Sequence, residues 1–315
     1  MKTVVTIGEI VVEIMALDRG FGFGEPLRLS GPYPSGAPAI FIDQVARLGQ
    51  PCAIVSCVGD DDFGRMNCAR LAADGVDVSA IAIDPEAATG SAFVRYRPDG
   101  ARDFVFNIKH SACGRIALTD AGRRVMAGCD HVHVMGSSLF APAIVAATEA
   151  AIQTVKERGG TVSFDPNVRK EMLELPGMRE AFGRVLAKTD LFLPSGPELF
   201  LFADAADEME AAQAILTGGV SCIVVKQGAD GARCHVAGRV IDQPAFTARE
   251  IDPTGAGDCF GATFVTAWLR GWPLERALAL AAASGARAVE RQGPMEGVST
   301  LDDLERLVGG APAST

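Results

Sequence analysis

The stretch Asp252-Pro253-Thr254-Gly255-Ala256-Gly257-Asp258-Cys259-Phe260-Gly261-Ala262 says most about the fold of this chain. It leads into residues 263–270, whose apolar spacing predicts a helix. The small residues Gly255, Ala256 and Gly257 allow a sharp backbone turn and the close approach of a ligand. They lie where the helix begins, and the unpaired N–H groups and dipole of a helix N-terminus favour an anion. The stretch therefore predicts an anion-binding turn.

Asp258 is a carboxylate placed inside this predicted anion site. It would repel a bound phosphate, but it could accept the proton of a hydroxyl group that attacks the phosphate. In phosphoryl transfer an Asp takes this role, while the protein positions the groups and stabilises charge on the phosphoryl oxygens. The alternative is that Asp258 only caps the helix, which is a frequent role of Asp. Residue types and spacing leave both roles open.

Short apolar runs alternate with helical patterns along the rest of the chain. The runs lack clean polar alternation, which is typical of strands buried on both faces. They cover residues 4–7, 52–58, 131–135, 161–164, 191–193 and 222–225, and the helical patterns include 41–48, 65–74, 143–158 and 211–217. This order predicts an α/β fold with a mostly parallel sheet flanked by helices.

Two segments, 11–33 and 91–107, interrupt the alternation. The second predicts a hairpin, because alternating strands flank a Pro98-Asp99-Gly100 turn. We interpret both segments as a small antiparallel β lid, and residues 1–10, 34–90 and 108–315 as the α/β core. A lid beside an open sheet could close and exclude water from a reaction. A decorative or dimer-forming hairpin is the alternative.

The composition excludes several classes of protein. The chain has 315 residues, of which 48% are hydrophobic and 22% charged, as in ordinary globular proteins. Lys and Arg number 29 and Asp and Glu 39, so the net charge is −10. This charge argues against a nucleic-acid-binding surface, which needs broad Lys/Arg patches. No run approaches the ~20 apolar residues of a membrane helix, so we expect no membrane partner either.

Eight cysteines are scattered along the chain without a C-x-x-C pair, and several lie inside apolar runs. This pattern favours buried thiols in a reducing cytoplasm over a metal site or disulfides. His131 and His133 alternate along a predicted strand, and without Cys or acidic partners at a metal-binding spacing they are better explained as strand residues.

Seven segments taken together resemble, in order, the motifs of the ribokinase-like (pfkB) family of carbohydrate kinases. They are residues 35–39, 58–64, 74–77, 165–169, 195–198, 225–231 and 252–258. Any one of them is a weak signal, but the ordered set spans nearly the whole chain and is specific. The resemblance implies a Rossmann-like core with a small β lid, and transfer of the γ-phosphate of ATP to a hydroxyl group of a sugar or related alcohol.

The resemblance also implies roles for individual residues in catalysis and nucleotide binding. Asp258 would be the catalytic base. The N–H groups of Gly255, Ala256, Gly257 and Asp258 would form the anion hole. The positions near ATP would be Lys226, Gly228 and Gly231, and Glu198 would belong to the network that orders water and Mg²⁺.

On the sugar side, Glu13 stands where many members have an Asp that binds sugar hydroxyls. Gly36 and Ala37 would line the sugar pocket, and Asn167 and Arg169 would lie near the substrate. Asp252 and Thr254 match positions that bind a monovalent cation, such as K⁺, in some members.

Three positions depart from the family pattern. Ser35 replaces the first Gly of the N-terminal motif, and Ile40 stands where the family has an Asn that hydrogen-bonds the sugar. An apolar side chain cannot replace that bond. Ser195 replaces the Asn of Asn-x-x-Glu, a change that also occurs in 2-keto-3-deoxygluconate kinases. Because the catalytic turn is complete, we expect an active enzyme.

The resemblance leaves several substrates open. Residues 31–41 resemble bacterial kinases of ketohexoses such as tagatose or fructose, and a homodimer through the lid is a further expectation. A 2-keto-3-deoxygluconate kinase would need a cation for its substrate's carboxylate, for which Arg169, Arg95, Arg97, Arg102 and Lys109 are available. A nucleoside kinase would use aromatic residues, such as Phe21, Phe23 and Phe104. A non-catalytic binding protein on this scaffold would be expected to lack the base or the glycines.

Overall fold

The computed structural model describes residues 1–18, 20, 22–98, 102–168 and 177–310. Within these ranges the strands are β1 (Val4–Ile7), β2 (Val11–Ala16), β3 (Leu29–Ser35), β4 (Cys52–Gly59), β5 (Ile81–Asp84), β6 (Gly90–Tyr96), β7 (Arg102–Asn107), β8 (His131–Met135), β9 (Thr161–Asp165), β10 (Leu191–Phe192), β11 (Cys222–Lys226), β12 (Ala232–Val236) and β13 (Arg239–Gln243). The helices are α1 (Ala37–Arg47), α2 (Asp62–Asp74), α3 (Asp120–Ala127), α4 (Pro142–Glu157), α5 (Met178–Leu186), α6 (Glu208–Thr217), α7 (Ala256–Leu269), α8 (Leu274–Val289) and α9 (Leu301–Gly310). None of these helices is long and apolar enough to span a bilayer.

Nine strands form one large sheet in the order β13-β12-β11-β10-β9-β8-β1-β4-β5. The pairs from β5 across to β11 are parallel, and only the two pairs at the β13 edge are antiparallel. The predicted mostly parallel sheet is therefore confirmed. The chain moves from β1 to β4 on one side and later returns to β8 on the other side. Ligands of open α/β sheets bind at the carboxyl ends of the strands beside such a reversal.

Neighbouring residues of the buried strands point to opposite faces of the sheet, and both faces are covered. Val4 packs in a core cluster with Phe41 and Phe264, whereas Val5 packs in a second cluster with Ile144 and Phe182. Helices therefore cover both faces, which explains why the strands read as continuous apolar runs. On the first face α7 packs against α1 and α8.

His131 and His133 lie buried in β8, where both rings contact the Ser163 hydroxyl of β9. The ring of His133 also stacks on Phe41, with 3.6 Å between the ring centroids. Burial lowers the pKa of both histidines, which keeps the rings neutral. The two histidines are therefore strand residues of the core, as the sequence pattern indicates.

Four strands form a second sheet in the order β3-β2-β6-β7, which we call the small sheet. Its outer pairs are antiparallel, as predicted. The central pair, β2 and β6, is parallel instead. The reason is connectivity, because the chain passes through α1, β4, α2 and β5 of the core between β3 and β6, and parallel neighbours need such a long crossover.

Asp43 of α1 is a fully buried carboxyl group whose closest cation is Arg70, at 3.5 Å. Burial raises its pKa from the ordinary 3.8 to about 8, although Arg70 opposes the shift. The folded state therefore binds this proton more tightly than the unfolded chain does, and stability falls as the pH rises from about 4 to 8.

We predict that Asp43→Asn removes this loss and stabilises the protein above pH 8, by about 6 kcal/mol at most. Melting temperatures of the variant and the wild type between pH 5 and pH 9 test the prediction. Glu86→Gln is the matched control, because the Glu86 side chain is 81% exposed. Parallel curves for the Asp43 variant and the wild type would contradict the expected proton linkage.

Candidate active site

Lys226 and Asp165 form a buried ion pair at the carboxyl ends of β11 and β9, where Nζ contacts Oδ2. Burial by itself lowers the pKa of Lys226, but the carboxylates of Asp165, Glu198 and Asp258 outweigh it and raise the pKa. The ammonium group is therefore charged at neutral pH. A fixed cation at the ends of these parallel strands is suited to hold an anionic ligand.

Glu198 joins the loops that follow β9 and β10. Its Oε1 accepts a hydrogen bond from the Val168 N–H at 2.6 Å, and its Oε2 accepts one from the Ser195 N–H at 2.7 Å. Burial and the nearby Asp165 raise the pKa of Glu198. Because both oxygens are held by backbone N–H groups, the carboxyl group is fixed beside the Lys226–Asp165 pair.

The N-terminus of α7 lies next to Lys226. A side chain at Gly257 would place its Cβ 3.8 Å from the Lys226 Nζ, and one at Gly261 would place it 3.9 Å from the Asp165 Oδ2. The helix begins after Gly255, whose φ is +81°. Gly255 also needs its hydrogen side chain for space, since a Cβ there would lie 2.4 Å from the Pro294 carbonyl oxygen.

Asp258 is the acidic residue in the first turn of α7, and its charge acts on Lys226. The N-cap residue is Gly255, not Asp258. Asp258 therefore lies at the third helical position and does not occupy the N-cap position of α7. The predicted anion-binding turn and the carboxylate of Asp258 lie beside the cation Lys226, which is 32 residues before Asp258 in the chain.

Thr254 and Asp252 form a tight hydrogen-bonded loop in front of α7. The Asp252 Oδ1 accepts from the Thr254 N–H at 3.0 Å and from its hydroxyl group at 2.8 Å, while Oδ2 accepts from the Gly293 N–H at 3.0 Å. Arg102 of β7 donates from Nη1 to the Thr254 Oγ1 at 2.8 Å. A guanidinium group from the small sheet thus contacts the loop in which a monovalent cation is expected.

The predicted sugar side lies at β2 and the start of α1. Glu13 is buried, accepts from the Ser35 hydroxyl at 3.1 Å, and lies 3.4 Å from the Thr254 Oγ1. Gly36 has a φ of +111°, and a Cβ there would lie 2.4 Å from the Glu9 carbonyl oxygen. The family's Asn position, Ile40, is buried, and its Cγ2 would lie 3.2 Å from a Cβ on Gly255. Ile40 therefore packs against the glycine turn.

A family model of pfkB family carbohydrate kinases matches residues 1–301. The chain belongs to the pfkB family of carbohydrate kinases. Among its relatives is a fructokinase of Klebsiella pneumoniae, 34% identical over 282 residues that cover 87% of this chain and 91% of the relative. A 2-dehydro-3-deoxygluconokinase of Thermoproteus tenax is 31% identical over 98% of this chain and 94% of its own length.

Solved structures agree with this family assignment. A candidate ribokinase II of E. coli in complex with ATP and Mg²⁺ is 48% identical, covers 99% of this chain and 100% of its own, and superposes with a TM-score of 0.94. A fructokinase of Vibrio cholerae solved with fructose, ADP and calcium is 28% identical over 98% of this chain and 99% of its own, with a TM-score of 0.82. The predicted carbohydrate kinase with a ribokinase-like fold is confirmed.

In this pfkB kinase, Gly228 and Gly231 shape the turn that follows Lys226. Both have positive φ, and a Cβ on Gly231 would lie 2.1 Å from the Gln243 carbonyl oxygen. Asn167 lies two residues after β9, with its side-chain amide 3.4 Å from the Ser137 hydroxyl. Arg169 was also predicted to lie near the substrate, but it falls outside the described residues.

Two further carboxylates of this pfkB kinase, Glu9 and Asp165, lie at the site without a predicted role. Glu9 follows β1 and accepts from the Ser138 hydroxyl at 2.5 Å and from the Ser137 hydroxyl at 3.4 Å. Asp165 closes β9 and pairs with Lys226. Each is a carboxylate at or just after the carboxyl end of a buried strand, and that position is a usable signal because such ends line the ligand crevice of a parallel sheet.

Proposed function

We propose that this pfkB kinase transfers the γ-phosphate of ATP to a hydroxyl group of a ketohexose such as tagatose or fructose. The observation that carries the proposal is the meeting of Asp258, the N-terminus of α7 and Lys226 at one point. A base, an anion-binding turn and a fixed cation are the groups that phosphoryl transfer needs. The ketohexose follows from the fructokinase relatives and from the buried Glu13, which can accept sugar hydroxyls.

In the proposed mechanism Asp258 accepts the proton of the attacking sugar hydroxyl. The N–H groups of Gly255, Ala256, Gly257 and Asp258 point from the helix start toward the transferred phosphoryl group and stabilise its negative charge. Lys226 neutralises charge on the nucleotide phosphates, with Gly228 and Gly231 letting the backbone approach them. Glu198 acts by positioning, because it fixes the two loops beside Lys226.

The site also fits a magnesium ion brought in on ATP. Mg²⁺ usually binds one or two carboxylates together with substrate phosphates, and Glu198 and Asp165, whose charges act on Lys226, are the carboxylates that would hold it. When bound, the ion would neutralise phosphate charge. For a monovalent cation the candidate is the loop of Asp252 and Thr254, in which the Asp252 carboxylate accepts hydrogen bonds from Thr254 and Gly293.

We further propose that residues 11–33 and 91–107 act as a lid over the core formed by 1–10, 34–90 and 108–315.

The outer side of the small sheet carries an apolar cavity of about 370 Å³ lined by Phe23, Leu29, Phe93 and Val105. We propose that this side forms a homodimer, since Leu29 and Val105 are exposed there. Sedimentation of the wild type and of Val105→Asp tests it, and a monomeric wild type would contradict it.

The eight cysteines are free thiols, which is the state favoured in a reducing cytoplasm. We therefore propose that the kinase works in the cytoplasm on small molecules, with no nucleic-acid or membrane partner.

A sugar acid is the second candidate substrate, and Arg102 favours it. Its guanidinium group reaches the Thr254 hydroxyl in front of α7, where it could pair with a substrate carboxylate. A 2-dehydro-3-deoxygluconokinase is also among the relatives. The two candidate substrates differ in charge, so removing one cation of the site should affect them differently.

The decisive experiment compares Arg102→Met with the wild type on tagatose, fructose and 2-keto-3-deoxygluconate. The release of ADP measures kcat/KM for each substrate. For a neutral ketohexose we expect kcat/KM to change less than threefold, since no charge is recognised. For a sugar acid we expect a loss of about 30-fold or more, because a bond to a charged group is worth about 2–3 kcal/mol. Arg97→Met is the control, as Arg97 pairs with Asp103 at the surface. No ADP release with any of the sugars would contradict the proposed function.

A further inference from the structure

Cys222 and Cys234 are neighbours across the β11–β12 hairpin. Their sulfur atoms lie 3.5 Å apart, and both side chains are buried. Cys234 stands opposite Val224 in the antiparallel register, so the two cysteines are diagonal neighbours on one face of the sheet. Both are free thiols. The sulfurs are in contact and need to approach by only about 1.5 Å to reach the ~2.05 Å of a disulfide.

The two thiols differ in chemical character. The contact with Cys222 lowers the pKa of Cys234, while the same contact raises that of Cys222. Either sulfur can donate the proton in this contact, so one sulfur can take on thiolate character while its neighbour keeps the proton. A thiolate is the reactive form toward oxidants.

Cys234 is buried, and local opening at the edge of the large sheet is the route by which an oxidant would reach it. Cys234 pairs with Ile241 of β13, which is the last strand of that sheet and has several exposed residues. Edge strands open locally at much lower free energy than the core does. Opening of β13 would uncover the side of Cys234 that β13 now protects.

The two cysteines bracket the segment that carries Lys226. Cys222 lies four residues before Lys226, and Cys234 lies three residues after Gly231. The residues between them include the glycine turn that we assign to the nucleotide phosphates. A covalent link between β11 and β12 would therefore alter the spacing of the two strands that flank this turn.

We propose that Cys222 and Cys234 are a redox-sensitive dithiol that closes to a reversible disulfide and thereby controls the nucleotide turn. With hydrogen peroxide as oxidant, the Cys234 thiolate attacks one peroxide oxygen, the O–O bond breaks, and protonation of the leaving hydroxide releases one water. The Cys222 sulfur then attacks the Cys234 sulfenic acid, loses its proton and expels a second water. One peroxide is reduced and two thiols are oxidised, and a thiol reductant reverses the change.

Peptide mapping tests the disulfide itself. Trypsin cuts after Lys188, Lys226, Arg233 and Arg239, so Cys222 and Cys234 fall in separate peptides, 189–226 and 234–239, each with a single cysteine. After treatment of the folded protein with hydrogen peroxide we expect these two peptides to be recovered as one linked species, which a thiol reductant separates. Recovery of both as free thiols, when the half-exposed Cys68 has been oxidised, would overturn the proposal.

Nucleotide affinity tests the consequence, which rests on the proposed function. We expect oxidation to weaken ATP binding about fivefold, at the low end of site-to-site couplings, and a reductant to restore it. Cys234→Ala should lose both the linked peptide and the effect of peroxide, whereas Cys68→Ser should keep both. If the linked peptide forms but the ATP affinity of the oxidised enzyme is unchanged, the proposal that the disulfide controls the nucleotide turn is overturned. ADP release by the reduced enzyme measures kinase activity separately. A failure of the proposed function can therefore be distinguished from a failure of the redox proposal.

Discussion

Asp258→Ala is expected to lower kcat about 1,000-fold with every sugar substrate, because a positioned general base contributes about 10²–10⁴ in rate. ATP affinity should change less than threefold, since the phosphates would be held by the N–H groups of the α7 start and by Lys226. Removing a negative charge from an anion site cannot weaken the attraction for phosphate. Steady-state kinetics and calorimetric titration with ATP measure the two effects separately.

Asp258→Asn and Asp120→Ala are the controls for this result. The amide of Asn keeps the shape of Asp258 and removes only its basicity, so kcat should fall as far as in the Ala variant. Asp120 is also an acidic residue in the first turn of a helix, α3, but its side chain is 84% exposed, and its loss should leave kcat unchanged. Turnover of either Asp258 variant within tenfold of the wild type would rule out Asp258 as the base.

Lys226→Met is expected to reduce both stability and activity. The substitution leaves the buried Asp165 carboxylate without its cation, and an uncompensated buried charge costs about 3–5 kcal/mol of folding free energy. It also removes the charge proposed to bind the nucleotide phosphates. Urea unfolding should show the stability loss, and ATP titration should show weaker binding, in contrast to the Asp258 variants.

The double variant Lys226→Met/Asp165→Asn separates these two effects. It removes both charges of the pair, so most of the lost stability should return, while ATP binding and turnover should remain low. Lys156→Met/Asp190→Asn is the matched control, because this second Lys–Asp pair is partly exposed and Asp190 lies at the amino ends of β9 and β10. If the Lys226 double variant regained wild-type ATP affinity, Lys226 would be only a structural partner of Asp165.

Much of the large sheet could be predicted from local patterns. The run 131–135 coincides with β8, and the runs at 4–7 and 222–225 lie within one residue of the ends of β1 and β11. Strands buried on both faces are apolar throughout, so composition marks them. The β2–β6 pairing was not predictable in this way, because a local pattern shows alternation along a strand and not which distant strand lies beside it.

The same distinction between local patterns and long-range contacts applies to the candidate site. The sequence alone determined the glycine turn, the helix that follows it and the presence of Asp258, because these depend on neighbouring residues and on backbone geometry. Only the tertiary structure decided that Lys226, Asp165 and Glu198 meet at that turn, and that Arg102 reaches Thr254 from the small sheet. These contacts join parts of the chain far apart in sequence, and their charges gain strength from burial, which exists only once the sheet and its helices have packed together.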